Sequence, residues 1–542
     1  MSFGRKAAHT LSRRALILSA VSVSAVAASG LLANGALAQD AVPAPASAAP
    51  QQFSFDMLTL SMQDKAKQPY VAPEKISGFF AGLKYDDYRL VSFDPERARW
   101  LEAPKADGGP VSQFQLHAFP MGWLFAEPVT MFEVKDGLAT EMGFTTDDFR
   151  FLNELAAKVP HGEKMPGVAG FRLHYPLNRL DVMDEVVAFL GASYFRALGM
   201  GSAYGISARG LALNTATDVA EEFPRFSSFW IEKPAPGARE IVVYAALESP
   251  SVTGAYRFVI RPGEETEMDV TARLFFRADV KQLGIAPLTS MYLFSERNRH
   301  QFDDFRPQVH DSDGLRITRT SGDLLWRPLS NPPRLAGSYL AEQSPRSFGL
   351  HQRDRIWEHY QDSEARYERR PSLEVEPLGD WGKGAVRLVE IPSDLEVNDN
   401  IVAFWVPEGE VKAGDTREFA YRLRWGDLPV EEQVELAYVL ETRSGVGGVS
   451  GVESADNLRK FVIDFTGGPL NPLPADAPVE AVVTVHGGEI TSQNLHRVWG
   501  SDTWRLAMDI KAEPGATVEM VAHVAGFGRK LSETWLYQWI NA

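Results

Sequence analysis

The 542-residue chain contains no cysteine. Disulfides, thiolate nucleophiles and cysteine-based metal sites are excluded. It also lacks a basic face: 55 Lys and Arg stand against 71 Asp and Glu, a net charge of −16. A phosphate backbone is gripped by clustered cations, so this balance argues against nucleic acid as a partner. Past residue 38, no apolar run approaches the roughly 18–20 residues that a spanning helix needs. There is no G-x-S-x-G elbow, no Gly-Lys-Ser/Thr phosphate loop and no H-E-x-x-H pair. Gly199-Met200-Gly201 and Gly447-Gly448 read as loop glycines. Fixed-period repeats are absent too, which argues against a solenoid or propeller.

What is present begins with an address. Arg5, Lys6, Arg13 and Arg14 precede a small, apolar stretch at 15–33, and Ala36-Leu37-Ala38 offers a cleavage site. Residues 1–38 read as a signal peptide, and Ser12-Arg13-Arg14-Ala15-Leu16 reads as the twin-arginine type. The expected destination is the periplasm. Residues 39–52, rich in Ala and Pro, read as a disordered spacer.

The mature chain reads as mainly β. Met268, Val270, Ala272, Leu274 and Phe276 alternate with polar residues, the pattern of a half-buried strand. Strand-length runs also stand at 241–247, 255–260, 385–390, 401–406 and 419–425. Short helices are expected at 56–67, 145–158 and within 181–198. Gly426–Glu432 breaks the pattern, which divides the chain into 53–425 and 430–542. The second part has the size and strand rhythm of an immunoglobulin-like sandwich. Aromatics are abundant, with 12 Trp, 15 Tyr and 31 Phe. Such rings stack on sugar faces, but they more often fill β-sandwich cores.

Three polar segments could carry chemistry. His310-Asp311-Ser312-Asp313-Gly314 lacks the regular acidic spacing and distant Glu of a calcium loop. It reads as a turn or as the seat of a catalytic carboxylate. Glu396-Val397-Asn398-Asp399-Asn400 sits directly before a strand and reads the same two ways. Between them, Trp357-Glu358-His359-Tyr360-Gln361-Asp362 and Tyr367-Glu368-Arg369-Arg370-Pro371 mix rings, acids and arginines. That mix lines sugar grooves, and it also builds buried ion-pair networks. Periodicity and spacing do not select Asp311 and Asp399 from 71 acidic residues.

These same segments carry a resemblance. Phe189-Leu-Gly-Ala-Ser-Tyr-Phe-Arg196, Gly205-Ile-Ser-Ala-Arg-Gly-Leu-Ala212, Gly284-Ile-Ala-Pro-Leu-Thr-Ser-Met291, His310-Asp-Ser-Asp313, His359-Tyr-Gln-Asp362, Trp381-Gly-Lys-Gly384, Asp399-Asn-Ile401 and Glu533-Thr-Trp-Leu-Tyr-Gln538 resemble the OpgG/OpgD (MdoG/MdoD) family of periplasmic glucan biosynthesis proteins. The likeness covers essentially the whole mature chain. It implies a large galactose-mutarotase-like β-sandwich followed by a small immunoglobulin-like one. It implies synthesis of osmoregulated periplasmic glucans, with β-1,2-glucan as substrate of an inverting glucanase or transglycosylase. Matched residue by residue, the general acid falls on Asp399 and the general base on Asp311, the latter working through a proton relay. Tyr367, Glu396, Trp381, Trp357 and Arg370 are the expected substrate-binding residues. No metal or cofactor is implied. A homodimer and membrane-bound glucan-synthesis enzymes are the implied partners. The twin arginines look more like the OpgD branch. One departure is the short loop at Ser444–Lys460, which in glucan-hydrolysing members is longer and more aromatic.

Two other readings stay open. One is a non-catalytic protein that presents nascent β-1,2-glucan to membrane enzymes. The other is a mutarotase-like epimerase, by fold analogy alone.

Overall fold

The computed structural model describes residues 49–102, 111–430, 435–449, 451–453 and 457–542. The expected signal peptide and most of the spacer lie outside the described residues. Gln51–Gln52, at the end of the expected spacer, instead pairs as a short strand with Leu138 and Ala139. The next residue, Phe53, stacks on Trp230 at 5.1 Å and holds the segment against the sheet.

The structure is mainly β and sandwich-like. One long sheet runs through Ile241–Glu248, Val252–Arg261, Thr266–Phe276, Thr416–Gly426, Ser372–Pro377, Ser347–His351, Gly314–Thr318 and Leu324–Pro328. The alternation at 268–276 forms such a strand: Met268, Val270, Ala272 and Leu274 point into the core. A second sheet runs through Ala336–Gln343, Lys383–Glu390, Ile401–Pro407, Leu283–Ser290, Ser207–Arg209, Tyr194–Ala197, Asp184–Leu190, Gly170–Tyr175 and Gln115–Phe119. The two inner faces meet in one apolar core. Its centre is a ring cluster in which Phe189, Phe226, Phe229 and Phe258 pack edge to face at 5.3–6.4 Å.

The long sheet continues into the C-terminal part. Leu325 and Trp326 pair in parallel with Thr534 and Trp535, and the sheet goes on through Thr517–Gly526 to Val479–His486. A four-stranded sheet of Tyr438–Val446, Leu458–Thr466, Trp504–Lys511 and Glu489–Arg497 packs against these strands. A separate apolar cluster fills that space, with Phe461, Trp504, Val518 and Trp535 fully buried. Trp326 joins this cluster from the other side of the seam.

Of the three expected helices, one forms. Phe55–Ala66 is capped by Ser54, whose Oγ accepts the Met57 N–H at 3.1 Å. Leu58 and Met62 anchor it on the outer face of the long sheet. The expected helix at 145–158 is instead a turn at Thr146–Asp148, a strand at Phe149–Phe151 and a turn at Asn153–Leu155. The Thr145 start signal is real, since Asp148 accepts its N–H at 2.8 Å. Pairing with Val91–Phe93 and a left-handed Asn153 then override helix spacing. The expected helix within 181–198 is a hairpin of Asp184–Leu190 and Tyr194–Ala197. Val186, Val187, Phe189, Tyr194 and Phe195 favour strand, and Gly191 turns the chain at positive φ.

Candidate functional site

The segments that carry the two nominated carboxylates are tied to one short piece of backbone, residues 291–292. Tyr292–Phe294 and Val309–His310 form a separate two-stranded ladder directly after the sheet strand Leu283–Ser290. Asp311 follows directly, and its N–H donates to the Met291 carbonyl at 2.8 Å. Asp399 approaches the neighbouring residue through Asn400. The buried Asn400 side chain accepts the Tyr292 N–H at 2.8 Å and donates to the Tyr292 carbonyl at 2.9 Å. It donates also to Ile391 at 3.0 Å, which closes the turn that carries Asp399. Asn398 braces the other side, donating to Ser393 Oγ at 3.1 Å. Asp399 itself is half-buried.

Asp311 is 4 % exposed. Burial raises its carboxyl above the usual range, against the pull of Arg370, His310 and Arg196. Arg370 is the nearest cation, with Nε 3.6 Å from Oδ1. The guanidinium lies over the Tyr367 ring at 5.0 Å. Gly205 is what lets the Arg370 stem sit there, because a β-carbon at 205 would stand 3.0 Å from its Cδ. Tyr367 is buried in an apolar bed with Met291, Phe294, Val309 and Tyr360. Burial, and then the Asp311 charge, push its hydroxyl pKa up.

Two features escape the sequence reading. Gln352 Nε2 donates to the carbonyls of both His310 and Tyr367, at 3.1 and 3.0 Å, and so fixes Tyr367 beside Asp311. Arg306 gathers three carboxylates: Glu396 at 2.6 Å, Asp304 at 2.7 Å and Asp362 at 2.8 Å. The arginine is held strongly protonated, first by its hydrogen bonds to Asp304. Beside it Phe305 is 74 % exposed, with Arg306 5.8 Å from its ring. The run Asp303-Asp304-Phe305-Arg306 has the ring–acid–arginine mix of the 357–371 segment and could have been flagged on that ground.

Asp311, Tyr367 and Arg370 are thus in direct association, and Asp399 and Glu396 share the adjoining turn. The Glu396 charge is felt at both Asp311 and Tyr367. Trp357 is 40 % exposed, and Arg366 lies 5.8 Å from its ring. Trp381 is placed elsewhere. It packs in the sandwich core against Trp405, Phe419 and Tyr421, and its Nε1 donates to Ala420 at 3.2 Å. A ring so enclosed has no face left for a sugar, so the expectation for Trp381 is replaced by a core role. Among the described residues no group of three or more His, Asp or Glu side chains could hold a metal ion. Among them, too, no helix is long and apolar enough to cross a membrane.

A β-sandwich bearing a buried carboxylate, a second one on the adjoining turn and exposed rings alongside is the class of protein defined so far. The family described as "Periplasmic glucan biosynthesis protein, MdoG" matches residues 53–539, and the chain belongs to that family. It is 62 % identical over 492 residues to "Glucans biosynthesis protein G" of Cereibacter sphaeroides, covering 91 % of this chain and 90 % of that one. Proteins of the same name in Rhodopseudomonas palustris and Shewanella oneidensis (the latter "G 1") are 46 % and 42 % identical. They cover 88 % and 90 % of this chain, and 91 % and 87 % of their own. These relatives carry the G name, whereas the twin arginines had pointed to the D branch.

Proposed function

We propose that this protein acts on β-1,2-linked glucan in the periplasm during glucan biosynthesis, as an inverting glucanase or transglycosylase. Asp399 is the general acid, protonating the leaving glycosidic oxygen. Asp311 is the general base. An inverting reaction needs one carboxyl to give a proton and another to draw one from water or a sugar hydroxyl. The observation that carries the reading is the shared anchor: Asp311 on the Met291 carbonyl and Asp399, through Asn400, on Tyr292. That arrangement ties together the two segments that carry the carboxyls, one enclosed and one half-buried. Because Asp311 is enclosed, its proton arrives by relay, and the Tyr367 hydroxyl beside it is the protein group suited to that step. Phe305 and Trp357 offer exposed faces for pyranose stacking, and Glu396, held by Arg306, accepts hydrogen bonds from sugar hydroxyls.

Residues 53–425 form the glucan-binding unit in this reading, and 430–542 the immunoglobulin-like one. A homodimer and membrane-bound glucan-synthesis enzymes remain the proposed partners.

The burial of Asp311 also supports a second reading, a glucan-binding protein that presents nascent chains without cutting them. Incubation with linear β-1,2-, β-1,3- and β-1,4-glucans, followed by chromatography, separates the two. The enzyme reading expects a change of chain length with the β-1,2 polymer alone. An unchanged β-1,2 chain, bound but intact, would leave the presenting role.

A further inference from the structure

His310 ends the short strand Val309–His310 and is paired across the ladder with Tyr292. Its side chain is wholly buried. The ring stacks on the Tyr292 ring at 5.3 Å, and the Tyr360 ring meets it edge to face at 5.3 Å. Each ring nitrogen meets a glutamine oxygen. Nδ1 lies 3.0 Å from Gln352 Oε1, and Nε2 lies 2.8 Å from Gln308 Oε1.

Neither glutamine is free to turn its amide over. Gln352 Nε2 already donates to the His310 and Tyr367 carbonyls, at 3.1 and 3.0 Å. Gln308 Nε2 donates to the Asp354 carboxylate at 2.9 Å. A flip at either residue would set oxygen against oxygen, so the hydrogen-bond network assigns both Oε1 atoms to the ring. A neutral imidazole has one N–H and one bare lone pair. Here that lone pair would face an oxygen inside a site closed to solvent. Protons on both nitrogens satisfy both contacts, which makes the ring an imidazolium.

A buried charge needs compensation. Asp313 Oδ1 lies 3.6 Å from Nε2, Asp354 stands behind Gln308, and the stacked Tyr292 ring offers a cation–π contact. The Tyr360 hydroxyl is engaged elsewhere, donating to the Asp354 carbonyl at 3.0 Å. Arg297 approaches the same stack through the Tyr292 hydroxyl, to which it donates at 2.7 Å. Asp311 is the next residue in the chain. Burial raises its carboxyl, and Arg370 and then His310 draw it back.

We propose that His310 is a positioning residue for the base: held as an imidazolium by two glutamines, it keeps the Asp311 carboxylate ionised and able to take a proton. Its part in turnover rests on the glucan reading above, whereas the charge of the ring does not.

The ring is tested in the unaltered protein, labelled with ¹⁵N in histidine, by nitrogen–proton correlation at pH 7. Its resonances are identified by their Overhauser contacts to the Tyr292 and Tyr360 rings, so no variant has to fold. A proton on each nitrogen is expected, and a single N–H overturns the proposal. The role toward Asp311 is tested by His310→Gln, with turnover of linear β-1,2-glucan followed against pH. The acid limb should move to higher pH, with kcat on that limb falling about tenfold and KM unchanged. A uniform loss at every pH, with the limb in place, reduces His310 to a packing role and overturns the proposal. If the unaltered protein turns over no glucan, the enzyme reading falls, and the role toward the base falls with it. A doubly protonated ring would then still stand as a property of the fold.

Discussion

Burial is the main influence on Asp311, and it has consequences for stability as well as chemistry. A carboxyl whose folded pKa is raised disfavours its own ionisation in the folded state. The fold is therefore more stable below the unfolded carboxyl pKa and loses stability as pH rises through the folded value. Asp311→Asn should abolish turnover and yet raise the melting temperature at neutral pH, as thermal denaturation would show. Arg370 opposes the rise, so Arg370→Met should move the acid limb of the pH–rate profile to higher pH; an unmoved limb would separate Arg370 from the base. Asn400→Ala removes the three hydrogen bonds that position the Asp399 turn. It should cost about 1–3 kcal/mol in denaturant unfolding and lower turnover more than glucan affinity. At this scale the sequence was only partly legible. Asp311 and Asp399 were selected by resemblance, since turn-forming Asp and Asn look alike in any polar loop. Arg306 and Gln352 act on residues 90 and 42 positions away, and no local pattern encodes such reach.

The strands that alternate strictly, such as Thr266–Phe276, were readable because one face meets core and the other polar neighbours. The helix expected at 145–158 failed where the distant strand Val91–Phe93 supplied hydrogen bonds, and the one expected within 181–198 failed where the neighbouring strands Gly170–Tyr175 and Tyr194–Ala197 did. Trp381 failed for a related reason: a sequence cannot say whether a ring next to Gly382 turns inward. The sheet edge formed by Gln115–Phe119 and Gly170–Tyr175 carries its own pH dependence. His117 and His174 sit with ring centroids 4.0 Å apart, and each Nε2 is buried without a hydrogen-bond partner. Burial, with His174 and Arg172 nearby, lowers the His117 pKa from 6.5 to about 3. A folded-state His pKa below the unfolded one means stability is lost as pH falls from 6.5 toward 3. His117→Phe should flatten the fall in melting temperature across that window; an identical slope would clear the pair of any part in acid sensitivity.

Across the whole molecule, the sandwich and the C-terminal strands are fastened by buried polar pins. Glu533, wholly buried, accepts from Arg353 at 2.6 and 3.0 Å and from the Val439 N–H at 2.6 Å. Arg353 lies 3.5 Å over the Trp326 ring. Glu533→Ala leaves that arginine without its carboxylate and should destabilise the protein by about 3–5 kcal/mol, read by chemical denaturation. A second set of bonds runs from the Ser444–Lys460 loop to Arg297, from Arg297 to Tyr292, and from Tyr292 to Asn400. The C-terminal part is thereby tied to the backbone that anchors the segments of both carboxylates. The most direct test of the account is turnover and binding of linear β-1,2-glucan by Asp399→Asn. The predicted result is loss of all product at unchanged affinity. Turnover equal to that of the natural chain would contradict the assignment of Asp399 as the acid, and with it the inverting mechanism.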